Sequence, residues 1–401
     1  MGVFDFITNA FGKKTETRTN NSFVDPSFLS ALQGTGIKVT KDNAITFTAV
    51  FCAIRIIAES VAQLPIKLYK KDKNGNRTLE TEHPLYTLLS LKPNNYQTKF
   101  IFFEKILFDI LTNGNSFVRL VRNGGARVVA MLPMDANNVV VNFKDDQLFY
   151  TNKDSGETYD STDVLHFRGI TSDGVMGLSP IDIGRGSISW GLALETYGST
   201  FFGSGAKLSG VLQSDRALSS EAIERLKNSF ERNYTSVSNS NKTLILEEGL
   251  KFSPISISNE QAQFLASRAF SINEIARLFN LPPYMLKELS KSSFNNIEVQ
   301  AAEYVRYTLL PYLKNIENEL NIKLFKPSEY GKMFTEFSTN ALMRGSAKDR
   351  SEFYKTMINS GILSVNECRQ LENYNNIESG DDHYIPLNMG TLENINLGNN
   401  D

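Results

Sequence analysis

The chain has few of the residues that disulfide-built, metal-binding or membrane-spanning proteins use. Its 401 residues include two cysteines and three histidines. Cys52 and Cys368 lie too far apart in sequence to suggest a disulfide framework, so we expect a protein made in a reducing compartment. No histidine has a second histidine or a cysteine at ligand spacing, which argues against a zinc site. No apolar run reaches the roughly 20 residues that a bilayer span needs, so we expect no transmembrane helix.

An excess of charge is also missing. Lysine and arginine number 42 and aspartate and glutamate 44, for a net charge of −2. A protein that clamps DNA tightly is usually basic, so any contact with DNA must be local or weak. No GxGxxG, GxxxxGK[ST] or G-x-S-x-G pattern occurs, and these are motifs of dinucleotide, phosphate and acyl-transfer sites. We therefore expect no cofactor, no metal and no enzyme, and keep an unrecognised enzyme as an alternative.

What is present is an alternation of helical and strand patterns that predicts an α+β fold. Apolar residues recur at helical spacing over Phe47–Leu64, and Pro65 ends that helix because it pushes the preceding residue out of the helical region. A second helix is predicted over Lys99–Asn113. Short strands between residues 66 and 170 predict an antiparallel sheet, with a hairpin turn at Asn74-Gly75.

A helix rich in small residues follows this module. Ser179 is suited to cap it and Pro180 fits its first position, and the pattern continues to about Phe202. Glycine weakens a helix by up to about 1 kcal/mol relative to alanine, so we expect this helix to pack closely against neighbours. Two interpretations stay open, packing inside one subunit and packing against copies of the same chain.

The next segment predicts a β-α-β insertion. Strands are expected at Gly210–Gln213 and Lys242–Glu247, on either side of a helix at Ser219–Tyr234. Ile223, Leu226 and Phe230 form the apolar stripe of that helix.

Two long helices then flank a polar loop. One is predicted from about Asn259 to Asn280, before Pro282-Pro283, and the other from about Asn295 past Pro311 to Leu324. Because proline in a helix interior kinks it, we expect a bend at Pro311. The loop between them is rich in Lys, Ser and Asn. This arrangement suits a protein that guides something long better than one that cuts it.

Local patterns along the chain, in this order and spacing, resemble those of the portal proteins of tailed bacteriophages. The resemblance runs from about Ala44 to Asp382. It is carried by Val50-Phe-Cys-Ala-Ile-Arg-Ile-Ile-Ala with Leu64-Pro65, Asn113-Gly-Asn-Ser-Phe, Gly177-Leu-Ser-Pro-Ile, Phe202-Gly-Ser-Gly-Ala, Gly210-Val-Leu, Leu246-Glu-Glu-Gly, Gln263-Phe-Leu, Ile275-Ala-Arg-Leu-Phe-Asn-Leu-Pro-Pro, Asn366-Glu-Cys-Arg and Gly380-Asp-Asp.

The resemblance implies a portal fold with a wing, two stem helices, a clip, a kinked helix crossing the wing and a short crown. Its parts fall on this sequence as a flexible arm at 1–45, an α+β wing at 46–176, a first stem helix at 177–207, a β-α-β clip at 208–256, a second stem helix at 257–281, a tunnel loop region at 282–296, a long kinked helix and return to the wing at 297–338, a helical crown at 339–387 and a disordered tail at 388–401.

The same resemblance implies a function and partners. Portal subunits form a ring, of twelve in the capsid, at the vertex through which double-stranded DNA is packaged and ejected without sequence-specific recognition. The partners implied are the large terminase, a head-completion or adaptor protein, and the capsid and scaffolding proteins, in a virion assembled in the host cytoplasm. An adaptor that never touches DNA is the alternative.

Candidate site residues follow from these assignments. The loop could touch phosphates without reading bases, although a plain helix connector is the simpler interpretation. The predicted DNA-contacting residues are Lys287, Lys291, Ser292, Ser293, Asn295 and Asn296. The predicted partner-docking residues of the clip are Glu221, Glu224, Arg225 and Asn228.

Overall fold

A computed structural model describes most of the chain as two compact units. The described residues are 16–18, 36–145, 147–203, 210–213, 219–234, 251–254, 258–288, 300–339, 347–372 and 374–384. The first unit is Met1–Ser338 and the second is Thr339–Asp401.

The first unit contains all twelve strands of the described residues and nine α-helices. The strands are β1 Glu16–Arg18, β2 Ile66–Lys71, β3 Arg77–Leu79, β4 Asn115–Arg122, β5 Val128–Met134, β6 Val139–Lys144, β7 Gln147–Asn152, β8 Thr158–Asp160, β9 Val164–Arg168, β10 Gly210–Gln213, β11 Lys251–Pro254 and β12 Met333–Phe337. The helices are α1 Lys41–Ala44, α2 Thr48–Ala62, α3 Pro84–Ser90, α4 Lys99–Asn113, α5 Pro180–Ile183, α6 Arg185–Gly203, α7 Ser220–Tyr234, α8 Ser258–Leu278 and α9 Leu310–Lys323.

Four small antiparallel sheets organise these strands. Their orders are β1-β6-β7-β8, β5-β4-β9, β12-β2-β3 and β10-β11. The α+β class and the antiparallel sheet predicted for the wing are confirmed. The hairpin is also confirmed, since Gly75 has φ +86° and the Asp72 carboxylate accepts hydrogen bonds from the Asn74 and Asn76 amides, both at 2.8 Å.

The core forms where α2 packs on α4. Val50, Ile57 and Val61 of α2, and Phe102 and Ile106 of α4, are each fully buried. Their i, i+3, i+4 spacing places them on one face of each helix. Burying a side chain of this size stabilises the fold by roughly 1.5–3 kcal/mol, so these helices hold the wing together.

The helix α9 covers the open edges of two sheets with its polar side chains. Glu319 accepts a hydrogen bond from the His166 amide of β9 at 2.8 Å. Glu317 and Asn321 accept from the Phe337 and Thr335 amides of β12, at 2.8 and 2.7 Å. Because exposed strand edges invite pairing with other chains, these contacts protect both sheets.

The first predicted stem helix is interrupted. It begins at Pro180 with Ser179 as its cap, as predicted, but α5 ends at Ile183 and α6 begins at Arg185. Gly184 lies at the break, where an added Cβ would come within 2.3 Å of the Leu278 side chain. The absence of a side chain at Gly184 therefore lets the stem approach Leu278 of α8 closely.

The predicted clip region contains a strand that was not predicted. The partner of β10 is β11, with Gly210 opposite Pro254 and Gln213 opposite Lys251. The strand predicted at Lys242–Glu247 lies outside the described residues. The helix between them, α7, matches its prediction within one residue.

The helical pattern around Pro311 changes its type just before α9. Residues 300–303 are helical, Tyr304–Leu309 form a π-helix, and Pro311 stands in the first turn of α9. A proline ring clashes with the carbonyl four residues earlier, and the wider π-turn relieves that clash.

The second unit contains α10 Ala347–Asn359 and α11 Val365–Leu371. The predicted capping box is confirmed, with hydrogen bonds between Ser364 and Glu367 in both directions. The Asn366 side chain accepts from the Ile377 amide at 2.8 Å and donates to Asp381 at 2.9 Å, and a Cβ on Gly380 would lie 2.4 Å from it. These contacts bring the Asn366 and Gly380-Asp-Asp segments together in the fold.

Candidate functional site

The junction between wing and stem is built on two glycines in backbone contact. Gly114 ends α4 with φ +78°, and its carbonyl accepts a hydrogen bond from the Gly169 amide at 2.8 Å. A Cβ on Gly177 would lie 2.0 Å from the Gly114 oxygen. Only glycine lets the two chain segments approach this closely.

Asn115 holds this contact in place. Its side-chain oxygen accepts from the Gly177 amide at 2.7 Å, and its nitrogen donates to the Gly177 carbonyl at 2.9 Å. The same oxygen lies 2.9 Å from Nε2 of the buried His166, whose Nδ1 lies 3.2 Å from the Tyr150 hydroxyl. Burial, Arg168 and Lys323 keep the pKa of His166 well below its usual range. His166 is therefore neutral and structural, and it orients Asn115.

The stem is also bonded to the end of α4. The Ser179 hydroxyl donates to the Thr112 carbonyl at 2.7 Å and accepts from the Asp182 amide at 3.2 Å. Asp182 in turn pairs with Arg185 at 2.5 Å. The first turn of the stem is thus fixed to the wing by its own cap.

A buried carboxylate lies in the same region. Asp109 of α4 contacts the Lys105 ammonium at 2.6 Å and the Ser116 hydroxyl at 3.4 Å. Burial raises its pKa to about 6, against the lowering effect of Lys105. Burial likewise lowers the pKa of Lys41, whose ammonium donates to Asn113.

Three glycines of the first stem segment, at a spacing of seven residues, pack against side chains of α8 and of the residue before α2. An added Cβ would lie 2.4 Å from the Phe47 ring at Gly191 and 3.0 Å from the Phe264 ring at Gly198. With Gly184 against Leu278, these three glycines face partners inside the same chain. For them, the interpretation of packing within one subunit holds.

Residues of both stem helices also line an open groove of about 580 Å³. Trp190 is 47% exposed and Phe270 is 58% exposed. The groove is lined by Gly186, Ser187, Trp190, Ala266, Ser267, Phe270, Ser271 and Glu274. Two large apolar side chains of this groove are therefore about half exposed to solvent.

The base of the polar loop is closed by a group that we call the loop-base clamp, formed by Asn280, Tyr307 and Thr308. Asn280 has φ +52°, and its side-chain Nδ2 donates a hydrogen bond to the Tyr307 carbonyl at 3.0 Å. The Thr308 hydroxyl donates to the Asn280 carbonyl at 2.5 Å. Tyr307 stands four residues before Pro311, so the clamp supplies a donor to the carbonyl that the proline leaves without its α-helical partner.

Of the six predicted loop residues, only Lys287 lies within the described part of the chain. Lys287 is exposed and closes the turn after the 3-10 helix Pro283–Leu286, with φ +64°. Lys291, Ser292, Ser293, Asn295 and Asn296 lie outside the described residues. The clamp was not predicted, because it joins residues 27 and 28 positions apart in the sequence.

The predicted docking residues of the clip share the exposed surface of α7. Glu221, Glu224, Arg225 and Asn228 are all exposed. Ile223, predicted in the apolar stripe, is 55% exposed, and Leu226 is half-buried. Within the part of the chain that the structure describes, the apolar side of this helix is therefore only partly covered.

The described residues bring together no set of three or more His, Cys, Asp or Glu side chains that could hold a metal ion. None of the described helices is long and apolar enough to span a bilayer. His83 caps α3 by accepting from the Leu85 amide at 3.2 Å, so it has a structural role like that of His166.

Known proteins share both the sequence pattern and the fold. The portal protein of Enterobacteria phage HK97 is 28% identical over 367 residues, covering 88% of this chain and 86% of that protein. The probable portal protein of Streptomyces phage phiC31 is 29% identical over 387 residues, covering 92% and 84%.

Solved structures agree in fold. A chain in the neck of a native gene transfer agent particle, computed with C12 symmetry, matches with a TM-score of 0.58 at 20% identity, covering 93% of this chain and 99% of that one. An HK97-family portal protein from Corynebacterium diphtheriae matches with a TM-score of 0.54 at 17% identity, covering 77% and 98%. The phage portal protein family matches residues 48–373, and the chain belongs to that family.

Proposed function

We propose that the protein assembles into a closed ring at one vertex of a phage capsid and forms the channel through which DNA is packaged and ejected. Family membership supports the portal role. The neck of the gene transfer agent particle has C12 symmetry, and by analogy we propose twelve subunits for the ring in the capsid. The role is structural and needs no catalytic residue.

The open groove of the stem is the observation that carries ring formation. Three glycines of the first stem segment pack against partners inside the chain, whereas the groove lined by both stem helices exposes Trp190 and Phe270. Exposed apolar surface of this kind marks interaction sites. A ring repeats one head-to-tail contact, so each subunit offers this groove to its neighbour.

A substitution in the groove tests this proposal. Trp190→Glu places a charge where the neighbouring subunit would bury an aromatic ring, and we expect the ring to dissociate into folded monomers. Trp190→Phe keeps an apolar ring and should assemble. Native mass measurement and circular dichroism of both variants check the result, and an intact ring in Trp190→Glu would exclude the groove from the interface.

The channel must let DNA slide, which requires weak contacts. Each phosphate neutralised by lysine or arginine adds salt-dependent affinity, and the chain carries a net charge of −2. We propose that Lys287 and the polar loop residues that follow it touch phosphates transiently. The loop-base clamp would hold the two ends of the loop while its tip contacts DNA.

Deleting Ser290–Asn295 tests the loop separately from the ring. We expect rings of unchanged mass and a reduced yield of DNA-filled particles, because the clamp and the stem remain intact. A normal yield of filled particles would show that the loop is only a helix connector.

We propose that the clip docks the terminase during packaging and a head-completion or adaptor protein afterwards. The exposed polar residues Glu221, Glu224, Arg225 and Asn228 of α7 support this assignment. The wing would contact the capsid and scaffolding proteins, and assembly would take place in the host cytoplasm.

A further inference from the structure

The hairpin of β2 and β3 has a bare outer edge. The backbone groups of Asn76 and Glu80 point toward β2. The Asn76 carbonyl accepts a hydrogen bond from the Asp72 amide at 3.0 Å, and the Glu80 amide donates to the Leu68 carbonyl at 2.8 Å. Since backbone groups alternate sides along a strand, those of Arg77 and Leu79 point away from β2. All three residues of β3 are exposed. Among the described residues, nothing bonds to the backbone groups of Arg77 and Leu79.

Three other sheet edges of the wing are covered by hydrogen bonds. The helix α9 caps the edges of β9 and β12, as described above. On β5, the Met131 amide donates to the Pro93 carbonyl and the Met131 carbonyl accepts from the Asn94 side chain, both at 2.9 Å. The fold therefore protects three edges with hydrogen bonds and leaves β3 without such a cap.

The outer face of the same sheet is aromatic and cationic. The Tyr69 and Phe334 rings stack with centroids 5.4 Å apart. The Lys71 ammonium lies 4.9 Å from the Phe334 centroid, and the Arg77 guanidinium carbon lies 5.2 Å from that of Tyr69. Leu79, on the edge strand, is 47% exposed. A strand placed beside β3 would meet apolar surface and positive charge together.

The local charge is opposite in sign to that of the whole chain. Residues 66–80 contain five cations and two acids, a balance of +3, against −2 for the chain. One of the two acids, Asp72, is engaged in the turn, and the pKa of Asp72 is lowered by its hydrogen bond to Asn76. The neighbouring strand adds one acid, Glu336, which pairs with Arg77 at 2.8 Å.

We propose that an extended, acidic segment of a partner protein in the capsid pairs with the edge of β3 as a fourth strand of this sheet. Main-chain hydrogen bonds to Arg77 and Leu79 would give affinity, and acidic side chains beside Arg77 and Lys71 would give specificity. The bare backbone edge favours a protein strand over DNA, because phosphates need only the cations. This inference rests on the proposed function, since it presumes a particle.

Hydrogen exchange of the Arg77 and Leu79 amides tests it in three samples, the purified ring, DNA-free particles and DNA-filled particles. We expect exchange about tenfold slower in both kinds of particle than in the ring. Equal exchange rates in all three samples would mean that no segment pairs with this edge and that its lysines only oppose such pairing. Protection already in the ring would assign the edge to a second copy of this chain, and protection only in filled particles would assign it to DNA. Each of those three results overturns the proposal.

A matched pair of variants and one double variant sharpen the test. Leu79→Pro removes the outward amide without touching the pairing of β3 with β2, so protection of the Arg77 amide should be lost, whereas Leu79→Val should keep it. Lys71→Gln with Arg77→Gln should also lose protection, and retained protection would contradict the acidic character of the partner. If Leu79→Pro does not fold, the protein that carries both Lys71→Gln and Arg77→Gln provides the test. Failure of the wild-type protein to form rings or particles would contradict the proposed function instead.

Discussion

The wing–stem junction and the outer surface of the stem and clip follow opposite rules. At the junction, Gly114 and Gly177 touch through their backbones, and Asn115, His166 and Ser179 each have hydrogen-bond partners inside the chain. On the outer surface, Trp190, Ile223 and Phe270 are each about half exposed. The junction is therefore specified within one chain, whereas the exposed outer residues are those that we propose to contact other molecules. Variants of the first kind should change stability, and variants of the second kind should change assembly.

The largest stability effect is expected for Gly177→Ala. A Cβ there would lie 2.0 Å from the Gly114 oxygen and 2.8 Å from the Gly169 nitrogen. Because backbone on both sides cannot move independently, we expect a loss of more than about 4 kcal/mol in the free energy of unfolding. Gly124→Ala is the matched control, since no atom lies within 4 Å of its added Cβ. Urea unfolding of both variants decides, and equal stabilities would refute the backbone contact.

The next largest effect expected is a dependence of the free energy of unfolding on pH, caused by Asp109. Its pKa is raised from 3.8 to about 6, mainly by burial. The folded protein therefore binds more protons than the unfolded chain between about pH 4 and 6, so stability should fall as pH rises through that window and stay level above it. The size is up to about 3 kcal/mol.

The variant Asp109→Asn should remove this fall, and exposed Asp42→Asn should leave it unchanged. Unfolding free energies measured at intervals from pH 4 to pH 7 provide the comparison. A fall that persists in Asp109→Asn would place its origin elsewhere.

The loop-base clamp predicts a smaller effect with a defined order. Asn280→Ala loses the hydrogen bond to Tyr307 and must also hold φ +52°, which costs a non-glycine residue about 1–2 kcal/mol. Asn280→Gly loses only the side chain. We expect destabilisation in the order Ala, Gly, wild type, measured by thermal unfolding. Equal losses for alanine and glycine would show that the backbone conformation at this residue is not the cause.

The smallest stability effect is expected in the clip. Glu224 and Arg225 are exposed on α7, so Glu224→Lys or Arg225→Glu should change the free energy of unfolding by less than about 0.5 kcal/mol. Both should weaken binding of the terminase or adaptor, measured with the assembled ring. Normal binding by both variants would move the docking site to another surface.

Much of the fold could be predicted because its signals are local. Pro65 ended α2, Ser179 and Pro180 began the stem, and Ser364 with Glu367 marked α11. Each depends on a cap or a breaker acting within a few residues. The antiparallel strands of the wing followed from alternation and turn residues in the same way.

The features that escaped prediction are contacts between distant segments. Nothing in the local pattern pairs Gly114 with Gly177, or places the Asn280 amide on the Tyr307 carbonyl. The π-turn at Tyr304–Leu309, just before Pro311, was also not predicted. Of the candidate site, Lys287 and the four clip residues are placed on exposed surface, and their roles stay predictions because they depend on other molecules.

Electron microscopy of the purified protein tests the central claim most directly. The account predicts closed rings with a central opening wide enough for duplex DNA, assembled without any other protein. A protein that stays monomeric at every concentration, or that forms particles without an opening, would contradict it.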